Sequence, residues 1–447
     1  MTPTNTRNSA APLERELPVP RAAAPAAPGK LRIAFLVYRG NPRVGGQGVY
    51  TRHLTRELVR LGHGVEVFSG PPWPELDDGV GFTPVPSLDL YREPDPFRTP
   101  RWSEFRSWAD IVEFLTMRTG GFGEPWTFGM RVKKILRQRR HDFDIIHDNQ
   151  CMATGVLDLY YDGFSVLETL HHPITVDRTI ALAHAPTLFK RYGVRRWYGF
   201  LRMQTRVVQQ LPAVVTVSHN SRHDIHEQMG VALANMTVVP VGVDHDVFRP
   251  YEDVVEIPHR LMVTTSSDVA MKGLVPLLEA AAMIRRHRPL ELVIIGTPKA
   301  DGAVARAIER LALGDCVTTV SGITDEAMAR LYGEAAVAVV PSLYEGFSLP
   351  AIEAMACGVA VVATTGGAIP EVVGTEAGLL VAPNNPAALA GAITTLLDDP
   401  VRRRSMGLAG RRRVIERFTW EVTARGTAAC YEAVLAKQPL PDAVDFN

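Results

Sequence analysis

The chain has 447 residues, 46% of them hydrophobic, enough to bury large cores and, at roughly 100–200 residues per domain, to build two or three domains. Its 48 Lys plus Arg balance its 48 Asp plus Glu, which excludes a global field recruiting nucleic acid or anionic membrane, so any phosphate-binding charge must be local. Four scattered cysteines, Cys151, Cys316, Cys357 and Cys430, with no Cys-x-x-Cys and no histidine at ligand spacing, argue against a zinc site and a disulfide framework and imply a reducing, cytoplasmic compartment.

Residues 1–29, rich in Ala and Pro, lack the apolar core of a signal peptide and read as a disordered tail. No later run reaches the roughly 18 apolar residues of a membrane span. From Lys30, L-R-I-A-F-L-V is suited to a buried parallel strand, followed by the glycine-rich loop R-G-N-P-R-V-G-G-Q-G and a helical stretch, T-R-H-L-T-R-E-L-V-R-L-G-H. Further strands are predicted at 65–68, 143–147, 165–169 and 213–217, spaced by helix-sized segments, as in a parallel sheet covered on both faces. Residues 71–126 break that rhythm with prolines and tryptophans and read as an insertion of loops and short helices.

Over 190–211, a helical period of about 100° per residue gathers Arg191, Arg195, Arg202 and Arg206 on one arc, opposite a face with Val194, Trp197, Leu201, Val208 and Leu211. The commoner reading of such a basic amphipathic helix is a domain helix packed by its apolar face; the rarer is peripheral contact with the inner face of a membrane. Residues 240–250, rich in Pro, Gly and Asp, connect a first unit at 30–245 to a second at 246–437. The second has strands predicted at 261–265, 292–295, 317–320, 336–340, 359–363 and 379–381, and a last helix at 420–436 that is free to pack back on the first unit. The fold class expected is α/β, with two Rossmann-like, doubly wound parallel-sheet domains facing a cleft.

The stretch Y-E-G-F-S-L-P-A-I-E-A-M-A-C-G, residues 344–358, follows the strand A-V-A-V-V-P and begins a helix, with Ser348 as its cap and Pro350 in its first turn. Ligands of open α/β sheets bind at that edge. The backbone N–H groups from Gly346 to Leu349 stand at the positive end of the helix dipole, where they suit a phosphate or a sugar oxygen. Glu345 and Glu353 flank the spot. A carboxylate repels phosphate but accepts two O–H bonds from a vicinal diol, each about 1.5–3 kcal/mol with a charged acceptor. A nucleotide sugar has diols at both ends of a diphosphate, so one glutamate would hold the sugar and the other the ribose. In T-T-S-S-D-V-A-M-K-G, Lys272 supplies a cation after a strand, with Ser266 and Ser267 beside it. Gly45 and Gly46 let backbone approach a ligand from the first unit, although G-G-Q-G lacks the dinucleotide spacing. D-F-D at 142–144 and D-H-D at 244–246 are poor metal candidates, the first ending a helix-to-strand turn and the second lying in the connection. The plainer reading of each residue is a solvated acid, a solvated lysine or a turn glycine.

With Thr169, Leu170 and His171 as T-L-H, Val217 and Ser218 as V-S, V-G-V-D at 241–244 and K-G at Lys272 and Gly273, the chain resembles the family 4 retaining glycosyltransferases of the GT-B fold from residue 31 to about 435. The resemblance implies that Glu345 contacts the donor sugar and that Phe347, Ser348 and Leu349 give backbone amides to sugar and phosphates. It also implies that Glu353 binds ribose, Lys272 the diphosphate, and His171 the transferred sugar near its reacting carbon; Gly46 approaches the diphosphate, and residues near Ile323 hold the base. One departure is Ser266, where similar enzymes often carry Arg, which shifts phosphate neutralisation onto Lys272 or Arg43. The implied chemistry is hexosyl transfer from a UDP- or GDP-sugar to a hydroxyl of a glycolipid, polysaccharide or small molecule, without metal, cofactor or protein nucleophile. The departing diphosphate oxygen helps deprotonate the acceptor on the same face of the sugar. Rival readings are a sugar-nucleotide epimerase or hydrolase, a phosphorylase, or a non-catalytic sugar-nucleotide sensor on the same scaffold. Sugar, base and acceptor stay open.

Overall fold

The computed structural model describes residues 17–41, 46–92, 95–183, 185–265, 270–299 and 301–443. Gly45, Ser266, Ser267 and Arg43 lie outside the described residues. Strands β1 (Arg32–Val37), β2 (Gly64–Ser69), β3 (Gly81–Pro84), β4 (Ile145–Asn149), β5 (Val166–Thr169), β6 (Val214–Thr216) and β7 (Met236–Val238) form one parallel sheet in the order β3-β2-β1-β4-β5-β6-β7. A second parallel sheet contains β8 (Ile257–Thr264), β9 (Glu291–Ile295), β10 (Val317–Val320), β11 (Ala335–Val340), β12 (Val361–Thr364) and β13 (Gly378–Val381), in the order β10-β9-β8-β11-β12-β13.

The runs explain the architecture. β1 is buried at every residue after its first, and β11, A-A-V-A-V-V, is buried throughout. An uninterrupted apolar run cannot leave one face in water, so helices must cover both faces. Strand order reverses between β1 and β4 in the first sheet and between β8 and β11 in the second. At such a reversal the connecting helices diverge to opposite faces and leave a crevice at the carboxyl ends of the strands.

Three expectations are corrected. The 71–126 segment contains β3, and β7 also joins the sheet. Each is an edge strand of three or four residues, β3 ending in Pro84 and β7 running into the proline- and glycine-rich connection. Residues 17–29 are not a disordered tail. Arg21 forms an antiparallel bridge with Phe82, its Nε donates to Val80 O at 2.8 Å, and Ala24 N–H donates to Gly79 O at 2.9 Å. The unpaired backbone groups of an edge strand provide the partners that hold this segment down. Finally, the basic 190–211 helix is two helices, Leu188–Trp197 and Leu201–Val208, separated by a 3-10 turn at Tyr198–Phe200. The second buries Leu201, Val207 and Val208, whereas the first exposes Leu188, Phe189 and Tyr192. Among the described residues no helix is long and apolar enough to cross a membrane.

The two sheets are joined by more than a linker. Val243 N–H donates to Phe418 O at 2.8 Å, and Thr423 Oγ1 donates to Pro240 O at 2.8 Å. The helix that follows, Trp420–Leu435, packs on the Gly46–Arg60 helix of the first sheet. Trp420 stacks on His53 at 5.1 Å, and Tyr431 OH bonds His147 Nδ1 in the middle of β4 at 2.5 Å. The end of the chain thus fastens the second half to the first. Asp244, in the connection, accepts from Arg56 at 3.0 Å, and Asp144 accepts from Arg32, so both D-x-D stretches contribute arginine-paired carboxylates.

Candidate functional site

The crevice between β8 and β11 is where the donor-site residues were expected, and the side chains of Lys272 and Glu345 meet there. After β11 the chain runs through Pro341 and Ser342 to Glu345, then turns into the helix Leu349–Ala356. After β8 it returns at Lys272, the end of a single 3-10 turn, followed by Gly273. Gly273 has φ +65°, and a Cβ on it would fall 1.9 Å from Pro341 O. Only glycine lets these two loops touch. Leu343 N–H donates to Met271 O at 2.7 Å across the same contact. As a result Lys272 Nζ lies 2.9 Å from Glu345 Oε1, which also accepts from Ser342 Oγ at 2.6 Å. Both side chains of the pair are mostly, but not fully, withdrawn from solvent, at 19% and 14% exposure, which strengthens their interaction yet leaves each reachable.

Glu353 lies one helical stretch further in. It accepts from Tyr332 OH at 3.4 Å, and that hydroxyl bonds Thr264 at the end of β8 at 2.8 Å. Desolvation, reinforced by the nearby charge of Asp325 and opposed by the Tyr332 hydroxyl, raises the Glu353 carboxyl from the ordinary 4.5 to about 7. Ile323 stands just past the carboxyl end of β10 and packs partly buried against the core.

The expected cap is corrected. Ser348 occupies the N-cap position, but at φ 105° its side chain makes no capping bond, and its Oγ is buried without a partner among the described residues. The left-handed backbone turns the hydroxyl away from the first-turn amides. The described hydrogen bonds include none from the N–H groups of Phe347, Ser348 or Leu349. A buried hydroxyl and amides without a partner among the described residues, at a helix start, are the chemistry that suits an anion or a ligand oxygen. Phe347 and Leu349 anchor the loop, Phe347 edge-on to Phe418 at 5.6 Å.

From the first sheet, His171 follows β5 and faces the same cleft. Its Nε2 lies 2.8 Å from Asn149 Oδ1, and its backbone N–H donates to Gln150 Oε1 at 3.0 Å. Asn149 spends its Nδ2 on Thr51 at 3.1 Å and on Gln47 O, so its oxygen must accept and His171 must carry its proton on Nε2. Burial, with the neighbouring His172, pushes the His171 pKa down to about 3, which keeps the ring neutral with Nδ1 as a lone-pair acceptor. Gly46 opens the Gly46–Arg60 helix, and a Cβ there would meet nothing within 4 Å. The glycine this loop requires is Gly48, where a Cβ would sit 1.7 Å from Asn41 O.

Several contributors escaped the sequence reading. Asn149 and Gln150 fix His171, Tyr332 meets Glu353, and the loop after β12 supports Glu345: Ala368 N–H donates to Glu345 O at 2.9 Å. The signal for the last was T-T-G-G-A-I-P-E, paired glycines at a strand end before a proline-led helix.

The chain matches the family model described as Glycosyl transferases group 1 over residues 258–413 and that described as Glycosyltransferase Family 4 over residues 44–247. It is 48% identical over 410 residues to an MMP alpha-(1->4)-mannosyltransferase of Mycolicibacterium hassiacum, covering 91% of this chain and 99% of that protein. A D-inositol 3-phosphate glycosyltransferase of Segniliparus rotundus is 29% identical over 413 residues, covering 89% and 86% respectively. Among solved structures, sucrose-phosphate synthase from Thermosynechococcus elongatus superposes with a TM-score of 0.71 at 26% identity, over 92% of this chain and 100% of that one.

Proposed function

The chain belongs to the family 4 glycosyltransferases and has their GT-B fold, and from that premise we propose that it transfers a hexose, with retention at the anomeric carbon, from a nucleoside-diphosphate sugar to a hydroxyl acceptor. The observation that carries this reading is the Lys272–Glu345 pair, 2.9 Å apart at the β8/β11 crevice, in the loop that leads to Ser348, whose hydroxyl has no partner among the described residues. A cation, an array of amides and a carboxylate lie side by side, as a diphosphate joined to a polyol requires. Lys272, Ser348 and the amides of Phe347 and Leu349 serve the diphosphate; Glu345 serves the sugar hydroxyls; Glu353 serves the ribose, with the base toward Ile323. Charge grows on the diphosphate as the glycosidic bond breaks, so fixed donors aimed at it lower the barrier. His171 is neutral and receives a hydroxyl on Nδ1, which orients the sugar without exchanging a proton.

The sugar is mannose and the linkage α-(1→4) on this reading, by analogy with the 48% identical mannosyltransferase. The test is incubation with GDP-mannose, UDP-mannose and UDP-glucose, with and without α-mannoside oligomers, followed by anomeric analysis of the product by NMR. Acceptor-dependent release of nucleoside diphosphate with an α-linked product is expected. A β-linked product, or release that ignores the acceptor, would overturn the proposal.

The acceptor side of the cleft has a surface suited to sugar rings. Tyr38 follows β1, and from it runs a cluster of part-exposed rings: Phe122 lies edge-on to Tyr38 at 6.2 Å, Trp197 stacks on Phe122 at 5.2 Å, and Tyr91 meets Trp197 at 5.5 Å. The C–H faces of pyranose rings pack on such planes. Trp197→Ala is expected to raise the KM for an oligosaccharide acceptor about 5–10-fold, the effect of roughly 1 kcal/mol of ring contact, and to leave the donor KM unchanged. Initial-rate kinetics with each substrate varied in turn check this.

A further inference from the structure

The Val217 and Ser218 dipeptide lies outside every role assigned so far, yet it stands where the two halves of the molecule touch. We propose that Ser218 and Ser221 are positioning residues for transfer: from the first domain they fix the peptide plane that aims the Phe347 amide, and so couple the donor loop to closure of the cleft. The inference rests on the reading of that loop as the donor's seat.

Gly346 O accepts two hydrogen bonds, from Ser218 Oγ at 2.7 Å and from Ser221 Oγ at 3.0 Å. The C=O of one residue and the N–H of the next point in opposite directions across a planar trans peptide. Two hydroxyls that hold Gly346 O therefore fix the direction of the Phe347 N–H, away from the serines. The same glycine is wedged between the domains, since a Cβ on it would lie 2.8 Å from His172 Cβ and 3.2 Å from His171 O. A side chain at 346 would push the donor loop off the His171 loop.

Other bonds converge on the start of the His219–Met229 helix, which Ser218 caps by accepting from Ser221 N–H at 2.9 Å. Glu371, on the short helix after β12, accepts from His219 N–H at 2.8 Å and from Asn220 N–H at 2.6 Å. Those are first-turn amides that the helix cannot satisfy itself. Tyr344 OH donates to Asp224 Oδ2 at 2.7 Å. The cap apart, these contacts cross from one domain to the other, and all involve the donor loop or its immediate support. Opening the cleft breaks them together, and the Phe347 amide then loses its fixed aim. Domain closure and assembly of the amide site are one event.

The experiment uses three variants of the full-length enzyme. Ser221→Ala keeps the helix cap and removes one hydroxyl. Ser218→Asp keeps an oxygen to cap the helix but cannot donate to Gly346 O. Ser221→Thr restores a hydroxyl. Ser221→Ala and Ser218→Asp are each expected to lower kcat about 5–10-fold with an unchanged Tm and a donor KM within 2-fold, and Ser221→Thr to recover most of the rate. Loss of kcat without loss of stability, with rescue by threonine, is a pattern that a merely structural serine does not produce. The proposal is overturned if Ser221→Ala and Ser218→Asp turn over at the parental rate, or if threonine fails to rescue. Failure of the donor-loop reading is separable: Lys272→Ala would then leave the thermal shift caused by nucleoside diphosphate intact, whatever the serine variants do.

Discussion

Lys272→Ala is expected to lower kcat/KM for the donor by about 10²–10³-fold, the cost of removing one fixed donor from a developing anion. The reasoning is electrostatic. Lys272 is the ammonium that the Gly273 contact presses against the Pro341 loop, and Ser266 stands where a second cation occurs in similar enzymes. Truncation also strands Glu345, which among the described residues keeps the Ser342 hydroxyl as its side-chain partner, so the carboxylate would repel the diphosphate that Lys272 is proposed to draw in. Lys272→Arg is not expected to rescue, because a planar fork differs in reach and shape from a compact ammonium. Glu345→Gln separates the two effects: it removes the repulsion while keeping a hydrogen-bonding side chain. The Lys272→Ala, Glu345→Gln double variant should therefore bind nucleoside diphosphate better than Lys272→Ala alone, as measured by calorimetry. A Lys272→Ala enzyme within 5-fold of the parent would remove the ammonium from the mechanism.

What was legible in the chain follows from how far each feature depends on local sequence. Glu345 and Lys272 could be assigned to the ligand edge because each lies in the loop after a predicted strand, and Glu353 because it follows Glu345 in the helix that loop begins; strand ends locate that edge. Edge strands β3 and β7 could not be read: G-F-T-P is bounded by glycine and proline, and M-T-V runs into the proline- and glycine-rich connection. The Ser348 cap was misread for a related reason. Residue type predicts a cap, but a backbone with φ 105° turns the hydroxyl inward, where it has no partner among the described residues. Glu371, Ser221 and Asn149 were invisible because each acts on a partner from a different strand–helix unit. No spacing rule connects a carboxylate after β12 to amides after β6. The return of the last helix onto β4 through Tyr431 depends on a contact with His147 that only the folded chain reveals.

Glu353→Gln is expected to make the enzyme worse and the fold better. The Glu353 carboxyl is raised to about 7 in the folded chain against 4.5 ordinarily. A raised acid contributes its stability below the unfolded pKa and loses it as pH rises through the folded one. The folded state thus becomes progressively less favoured between about pH 4.5 and pH 7, by roughly 3 kcal/mol, as a proton it holds is one the unfolded chain has released. Glutamine has no proton to lose, so the variant should melt a few degrees higher than the parent at pH 8 and show little of that gain at pH 5. Donor binding has the opposite sign. On the proposed role the ionised carboxylate is the form that would accept two ribose hydroxyls, so the parent's donor KM should rise as pH falls from 8 to 6. In the Glu353→Gln variant it should be roughly 10–100-fold higher at pH 8, reflecting the loss of a charged acceptor, and nearly independent of pH. His171, already neutral with its pKa near 3, adds no limb to the profile in this range. Thermal melts and donor kinetics at matched ionic strength across pH 5–8 read both effects on one preparation. A variant that neither gains stability at pH 8 nor loses donor affinity there would show that this carboxylate is neither strained nor used. On the proposed role the strain has a use: an acid withdrawn from water far enough to hold a diol firmly leaves the fold bearing the cost until the diol arrives.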